Sequence, residues 1–403
     1  NFVPERVSSS IPESAVKNAL GEAHFMRAAA YFYLVRIWGA VPIIENNLDY
    51  VYDPQIPKNR IEDVYEFIER DLQFAIDNCY EKIRGENYEA NIHVSSGSAK
   101  ALKAKVHLYQ EEYQEARQLA EEVINSGEFK LFGIDLPSKS YADLFLTENN
   151  NNQESIVQMQ WTAQGYGRGN AMQASFAISS QITGTGDGYG VIGPTLDLQD
   201  AYEDGDVRRK PTIMLEGDYY PEILSEEGGY TVPETVNAQL TKAGIKKYVV
   251  GTPEDNGGEG SSHSAANNTY IMRYADVLLI HAEAILAGQS STSDPAALDS
   301  FNTIRQRAGL GSFPSITLEN ILQERRIEFA IEGDYWFDLG RIDRQMAIEI
   351  ISNQERGIYS NETGEVYSEN YTPSSDDFLM PYPSTDAALN PLLLEEPQPY
   401  DFN

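Results

Sequence analysis

Carboxylates, histidines and aromatic rings supply most of the groups in this 403-residue chain that could do chemistry, and their spacing excludes more than it selects. The 62 aspartates and glutamates form chance pairs resembling the acid and nucleophile of a glycosidase, and spacing picks out none of them. The histidines His24, His93, His107, His263 and His281 are scattered. No HExxH, GxxxxGK[ST], GxSxG or complete EF-hand loop occurs. In "GTGDGYG" the glycines at 184, 186, 188 and 190 miss the GxGxxG spacing. "DAYEDGD" sets Tyr202 where a calcium loop needs a ligand, and its register fails. Cys79 is the only cysteine, which excludes an intrachain disulfide and a CxxC pair. No catalytic residue, metal or cofactor is expected, and the reading as an acidic hydrolase has no specific support.

Groups suited to holding a ligand are better represented. The 25 tyrosines offer apolar faces with polar edges, which suit cores, interfaces and sugar-stacking platforms alike. Between Trp161 and Tyr189, glycine-rich loops interleave rings with polar groups: Trp161, Tyr166, Arg168, Asn170, Asp187 and Tyr189. Glycines flank Tyr166 and Tyr189, so exposure is expected for both, and "GDGYG" sets Tyr189 at a loop tip. Trp161 reads equally well as a strand residue packed in the core. Asn47, Tyr50 and Tyr52 in "ENNLDYVYD" are weaker candidates, better read as a loop resting on its scaffold or touching a partner. A net charge of −32 and a pI near 4.4 exclude nucleic acid, whose phosphates are neutralised by lysine and arginine. No apolar run approaches the roughly 20 residues that span a bilayer. "NFVPERVSSS" has no signal-peptide pattern and reads as a chain entered partway.

Two helix-rich blocks must position these loops. "ESAVKNALGEAHFMRAAAYFYLVRIWGAVP" predicts a helix ended by Gly39 and Pro42. In "NRIEDVYEFIERDLQFAIDNCY", Asn59 and Glu62 have capping-box spacing, and Val64, Phe67, Ile68, Leu72, Ala75 and Ile76 recur at helical period. "SAKALKAKVHLYQEEYQEARQLAEEVINSGE" predicts a helical hairpin marked by Ala104, Leu108, Tyr113, Ala116, Ala120 and Val123. "IHAEAILAGQSSTSDPAALDSFNTIRQRAG" repeats that design through Ala282, Leu286, Ala297, Phe301 and Ile304, with a longer turn capped by Asp294 and Pro295. Paired small residues of this kind resemble tetratricopeptide hairpins. The fold class expected is mostly α, a tetratricopeptide-like hairpin scaffold with a loop-rich, irregular ligand-binding half. One domain over 1–403 is expected, with scaffold at 15–131 and 270–345, binding loops at 132–269 and an irregular segment at 346–403. Within the loops "ESIVQMQW" predicts a strand, and "GTPEDNGGEGSSHSAANN" a polar, mobile stretch. His24, His107 and His281 fall in predicted helices, as partly buried, hydrogen-bonded rings.

"ILQERRIEFAIEGDYWFDLGR", residues 321–341, concentrates charge beside three aromatics. On a helix Arg325, Glu328 and Glu332 share a stripe, with Leu322, Arg326 and Phe329 alongside. Gly333 should break that helix, and Tyr335, Trp336 and Phe337 should cover its end. A clamp is expected, with Arg326, Asp338 and Arg341 bridging to neighbours such as Arg273 and Glu283.

Taken in order, "GEAHFMRAAAYFYLVRIWGAVPII", "SAKALKAKVHLYQEEYQEARQLAEEVINSGEFKL", "PTLDLQDAYEDGDVRR", "RYADVLLIHAEAI", "ILQERRIEFAIEGDYWFDLGRID" and "MPYPSTDAALNP" resemble the SusD/RagB family of outer-membrane nutrient-binding lipoproteins. The resemblance spans nearly the whole chain. It implies a non-catalytic protein that captures oligosaccharide or polysaccharide, or in some members peptide, as a lid on a SusC-type TonB-dependent transporter. It also implies attachment to the bacterial outer membrane through an N-terminal lipid anchor outside this sequence, since Cys79 lies too deep to serve. Glycan-stacking aromatics in the family come largely from the segment ahead of "PTLDL", which points to Tyr189, Tyr166 and Trp161, with Arg168, Asn170 and Asp187 pairing to hydroxyls. A peptide-binding or protein-interaction member of the same scaffold is the alternative.

Overall fold

The computed structural model describes residues 6–52, 54–163 and 167–402. Helix forms where apolar spacing has the helical period. Helix α1 (Glu13–Trp38) stops at Gly39, whose φ of 71° disfavours any side chain. Helix α2 (Ile61–Asn78) buries Val64, Phe67, Ile68, Leu72 and Ala75. Its start departs from expectation. Asn59 makes no cap: its Oδ1 accepts the Ile43 N–H at 2.8 Å, and its Nδ2 donates to the Gln398 carbonyl at 3.3 Å. A buried N–H left unbonded costs more than a solvent-facing helix start, so the tertiary contact prevails over the local one.

Helices α3 (Ser96–Tyr109) and α4 (Tyr113–Ser126) form one hairpin, and α5 (Tyr274–Leu286) and α6 (Pro295–Arg307) the other. A shift of 178 takes Ser96 to Tyr274 and a shift of 181 takes Ser126 to Arg307, so the outer ends of the two hairpins coincide. Ala104, Ala116, Ala120, Ala282 and Ala297 are all fully buried, which lets the paired helices approach. Asp294 accepts the Ala296 N–H at 2.8 Å, with Pro295 at the first helical position. The helices pack in chain order from α1 to α6, with α5 lying against both α3 and α4. Their core is one cluster, which includes Phe25, Leu72, Ala104, Leu279 and Phe301.

Strands are short. β1 (Ser155–Met159) pairs antiparallel with β2 (Thr269–Arg273), and the remaining strand pairs have two residues per strand. The fold is mostly α. A second apolar cluster, with Phe132, Tyr141, Phe145, Phe176 and Tyr248, underlies the loops between α4 and β2.

Residues 318–341 form helices α7 (Leu318–Glu328) and α8 (Tyr335–Arg341), followed by α9 (Arg344–Ser352). Helix α7 ends before Gly333: Ile331 already has φ 68° and Gly333 φ 87°, so Glu332 leaves the helical stripe. The clamp forms through Asp338, Arg341, Glu283 and Arg273 as expected, and only Arg326 departs from it. Arg325 binds Asp276 at 2.7 Å and Asp338 at 2.8 Å, and Arg341 binds Glu283 at 2.5 Å. Arg326 turns instead to Asp197. Glu328, fully buried, takes Arg273 at 2.7 Å, Arg307 at 2.5 Å and Arg208 at 3.1 Å. Burial alone would raise the Glu328 carboxyl, but the guanidiniums of Arg307, Arg273 and Arg208 hold it far below the ordinary range.

Candidate functional site

Three stretches of loop meet outside the second core: the described residues 161–163 and 167–170, then 183–190 and 261–269. The first and third are joined by an antiparallel bridge. The Asn170 N–H donates to the Ala265 carbonyl at 2.8 Å, and the Ala265 N–H returns to the Asn170 carbonyl at 3.1 Å. Gly169 is required there, because a Cβ would lie 2.1 Å from Ser264 Oγ and 2.5 Å from Ser264 Cα. Asn170 itself is buried. Its amide donates to the Asn267 carbonyl at 3.0 Å, and its Oδ1 accepts the Met172 N–H at 2.9 Å.

Asp187 binds the second stretch to the third. Its Oδ1 accepts the Thr185 hydroxyl at 2.6 Å and its Oδ2 the His263 N–H at 2.6 Å. Burial would raise the Asp187 carboxyl, but these donors hold it below its ordinary value. It is therefore ionised at neutral pH and has no proton to donate. The backbone beside it is fixed as well: Tyr189 N–H donates to Ala174, Gly190 N–H to Ala177 and Val191 N–H to Ser175, each at 2.9 Å. Gly188 has φ 101°, and a Cβ would sit 2.4 Å from the Ser179 carbonyl oxygen. The Tyr189 ring, 54% exposed, stands on this mount with its centroid 5.5 Å from the His263 ring at an angle of 41°.

Of the six residues singled out in the sequence, Tyr189 is the exposed ring, and Arg168 is exposed with its carbonyl accepting the Thr162 N–H at 3.0 Å. Trp161 is half-buried: its indole N–H reaches Thr269 Oγ1 at 3.0 Å and its backbone N–H reaches Asn268 Oδ1 at 2.9 Å. Asn170 and Asp187 face inward and brace the loops. Tyr166 lies outside the described residues. His263 was missed by sequence reading. Its only signal was a polar "SSHS", read as mobile, whereas Asp187 ties it beside Tyr189. The run Asn149–Asn152 was missed too, and it anchors the third stretch: Asn150 Oδ1 accepts the Asn268 N–H at 2.8 Å, and its Nδ2 donates to Ala266 at 2.8 Å. In the weaker candidate loop, Tyr52 is 98% exposed and Tyr50 half-buried.

Among the described residues, one group could approach a metal geometry: Glu69, His107 and Glu112, with donor atoms within 4.8 Å of one another. It lies at the turn between α3 and α4, where His107 Nδ1 already contacts Glu112 at 2.5 Å and Gln110 donates to Glu69 at 2.8 Å. His24 with Asp71 and His281 with Ser300 are likewise hydrogen-bonded helix histidines. What the loops present is a ring face, an imidazole and polar edges on a stiff mount, an arrangement that can hold a ligand by stacking and hydrogen bonding.

Comparison with known proteins agrees with this architecture. Residues 153–398 match the family model described as SusD family, and residues 1–108 match one described as starch-binding associating with outer membrane. A SusD-like protein of Bacteroides ovatus is 36% identical over 447 aligned positions, which cover 100% of this chain and 78% of that one. A crystal structure with a xylogluco-oligosaccharide is 34% identical, with a TM-score of 0.84, and the match covers 98% of this chain and 84% of that one. A laminarin-binding SusD-like protein is 25% identical, with a TM-score of 0.71 and coverage of 94% and 79%. With the hairpin scaffold, the ordered motifs and these matches in agreement, the chain belongs to the SusD family.

Proposed function

We propose that this chain is a non-catalytic glycan-binding protein that captures oligosaccharide on the surface formed by residues 161–163, 167–170, 183–190 and 261–269. The helical scaffold, 15–131 and 270–345, carries the loop-rich binding region 132–269, and 346–403 is an irregular segment once α9 has ended at Ser352. By its family, the protein sits at the bacterial outer-membrane surface on a lipid anchor and delivers glycan to a SusC-type TonB-dependent transporter. The observation that carries the reading is the exposed Tyr189 ring, fixed against His263 by Asp187 and glycine-enabled backbone. A sugar's C–H face can stack on such a ring without first having to order it. Solved relatives with a xylogluco-oligosaccharide and with laminarin-binding ability name the first ligands to try.

The test is retention in affinity gels cast with xyloglucan, laminarin and other neutral polysaccharides. At least one should retard the protein, no new reducing ends should appear on incubation, and Tyr189→Ala should be retarded less. Normal retardation of that variant would remove the proposed surface. Accumulating reducing ends would overturn the non-catalytic reading, and binding to peptide alone would overturn the glycan.

A further inference from the structure

A cavity of about 270 Å³ lies where α1, α2, α3, α8, α9 and the Phe378 segment meet. Arg36, Arg341 and Arg344 line it, and no aspartate or glutamate does. In a chain of net charge −32, that lining has the opposite sign to the molecule as a whole. The carboxylates nearby are already engaged. Asp276, Asp334, Asp338 and Glu283 pair with Lys105, Arg36, Arg325 and Arg341. Arg344 is a fifth cation with no ion-pair partner among the described residues. Its Nη2 donates to the Gly340 carbonyl at 3.3 Å, its guanidinium lies 3.8 Å from the Phe378 ring centroid, and its Nη1 is buried with no hydrogen-bond partner. Among the described residues no carboxylate balances the Arg344 guanidinium, a part-buried cation left unpaired is costly, and an oxyanion in the cavity would balance it.

The walls add a second preference. Trp336 is 41% exposed and stacks on Phe378 at 5.4 Å and 15°. Arg36 is held between rings, with Phe32 at 4.1 Å and Phe337 at 4.2 Å. At about 270 Å³ the space is near the lower end of ligand clefts, roughly 300 Å³, which suits one sugar residue better than a polymer. We propose that this cavity binds an acidic sugar of the uronate class, its carboxylate meeting Arg344 and Arg36 and its C–H face meeting Trp336. The site is separate from the Tyr189 surface and stands whether or not that surface binds glycan. Free sulfate shares the oxyanion chemistry, so the experiment must separate the two.

Calorimetry and tryptophan fluorescence on the whole chain, titrated with D-galacturonate, D-galactose and sodium sulfate, supply the test. Galacturonate should bind and galactose should not. Affinity should fall severalfold as salt rises to about 0.5 M, where screening is strong. Sulfate should compete with galacturonate. Arg344→Gln should weaken galacturonate by about tenfold or more, the scale of a charge-assisted bond, while leaving neutral-glycan retention unchanged. If that variant fails to fold, Trp336→Phe serves instead: it should abolish the galacturonate-induced fluorescence change while calorimetric binding persists. Equal binding of galactose, full binding by Arg344→Gln, an unaltered fluorescence response in Trp336→Phe, or binding of sulfate without galacturonate would each overturn the assignment.

Discussion

At the scale of single residues, the candidate surface depends on the groups behind Tyr189 as much as on Tyr189. Removing the ring should cost about 0.5–1.5 kcal/mol of binding, the usual worth of an aromatic contact, read as a loss of up to about tenfold in an affinity-gel or calorimetric series. Gly188→Ala should cost as much without touching the ring. An added Cβ would meet the Ser179 carbonyl at 2.4 Å with φ at 101°, so the loop must move and carry Tyr189 with it. Comparing Gly188→Ala with Tyr189→Ala in the same gel checks this; a variant that binds normally would show that the mount is not needed. The residue types expected at this surface were visible in the sequence because glycine and aromatic residues announce exposed loop tips. That Asn170 and Asp187 would point inward was not visible, since either amide or carboxylate could serve a sugar or a backbone N–H equally well.

At the scale of elements, the hairpins rest on alanines that allow close approach. Ala120 is fully buried in the α4 face, and Ala120→Leu should destabilise by about 1–3 kcal/mol through overpacking, with a lower denaturant midpoint as the readout. A surface substitution on the same helix, Gln118→Ala, should leave that midpoint nearly unchanged. Hairpin positions were legible to the residue because helical period and small-residue spacing are local properties. The end of α7 was not. Gly333 looked like the breaker, yet the chain leaves the helix at Glu328, and the side chains of Arg273 and Lys247 hold Glu332 at 2.8 Å and 2.9 Å in its non-helical place. Capping of α2 by Asn59 failed for a related reason: the Ile43 N–H, 16 residues away, claimed the oxygen that would have capped, while the amide nitrogen went to Gln398, 339 residues away.

At the scale of the whole molecule, buried ion pairs fasten the helical blocks to the loop-bearing middle. Glu328 joins Arg208, Arg273 and Arg307, so Glu328→Gln should cost about 3–5 kcal/mol, the usual consequence of leaving buried cations unpaired. Its pH dependence follows from sign. The folded pKa of Glu328 is depressed, so its stabilisation is present above the unfolded value near 4.5 and is lost as pH falls towards the folded pKa. Asp334, depressed below its reference of 3.8 where burial is overcome by Lys105 and Arg36, acts in the same sense. Glu324 and Asp338, which burial raises, work the other way and moderate the slope. Melting temperature should therefore fall below about pH 4.5, and Glu328→Gln should flatten that decline. An unchanged slope in the variant would place the acid sensitivity elsewhere.

The sequence by itself determined the helical hairpins, the mostly α class, the absence of standard catalytic motifs and the loop that exposes the Tyr189 ring. Each of these is written in periods or compositions spanning a few residues, where backbone geometry alone links pattern to structure. Tertiary structure decided which loop meets which. The contact from Asp187 to His263 crosses 76 residues, the Arg273–Glu154 pair crosses 119, and neither has a local signature. Arg344 shows the same division: its charge is plain in the sequence, but only packing reveals that the surrounding carboxylates are already taken.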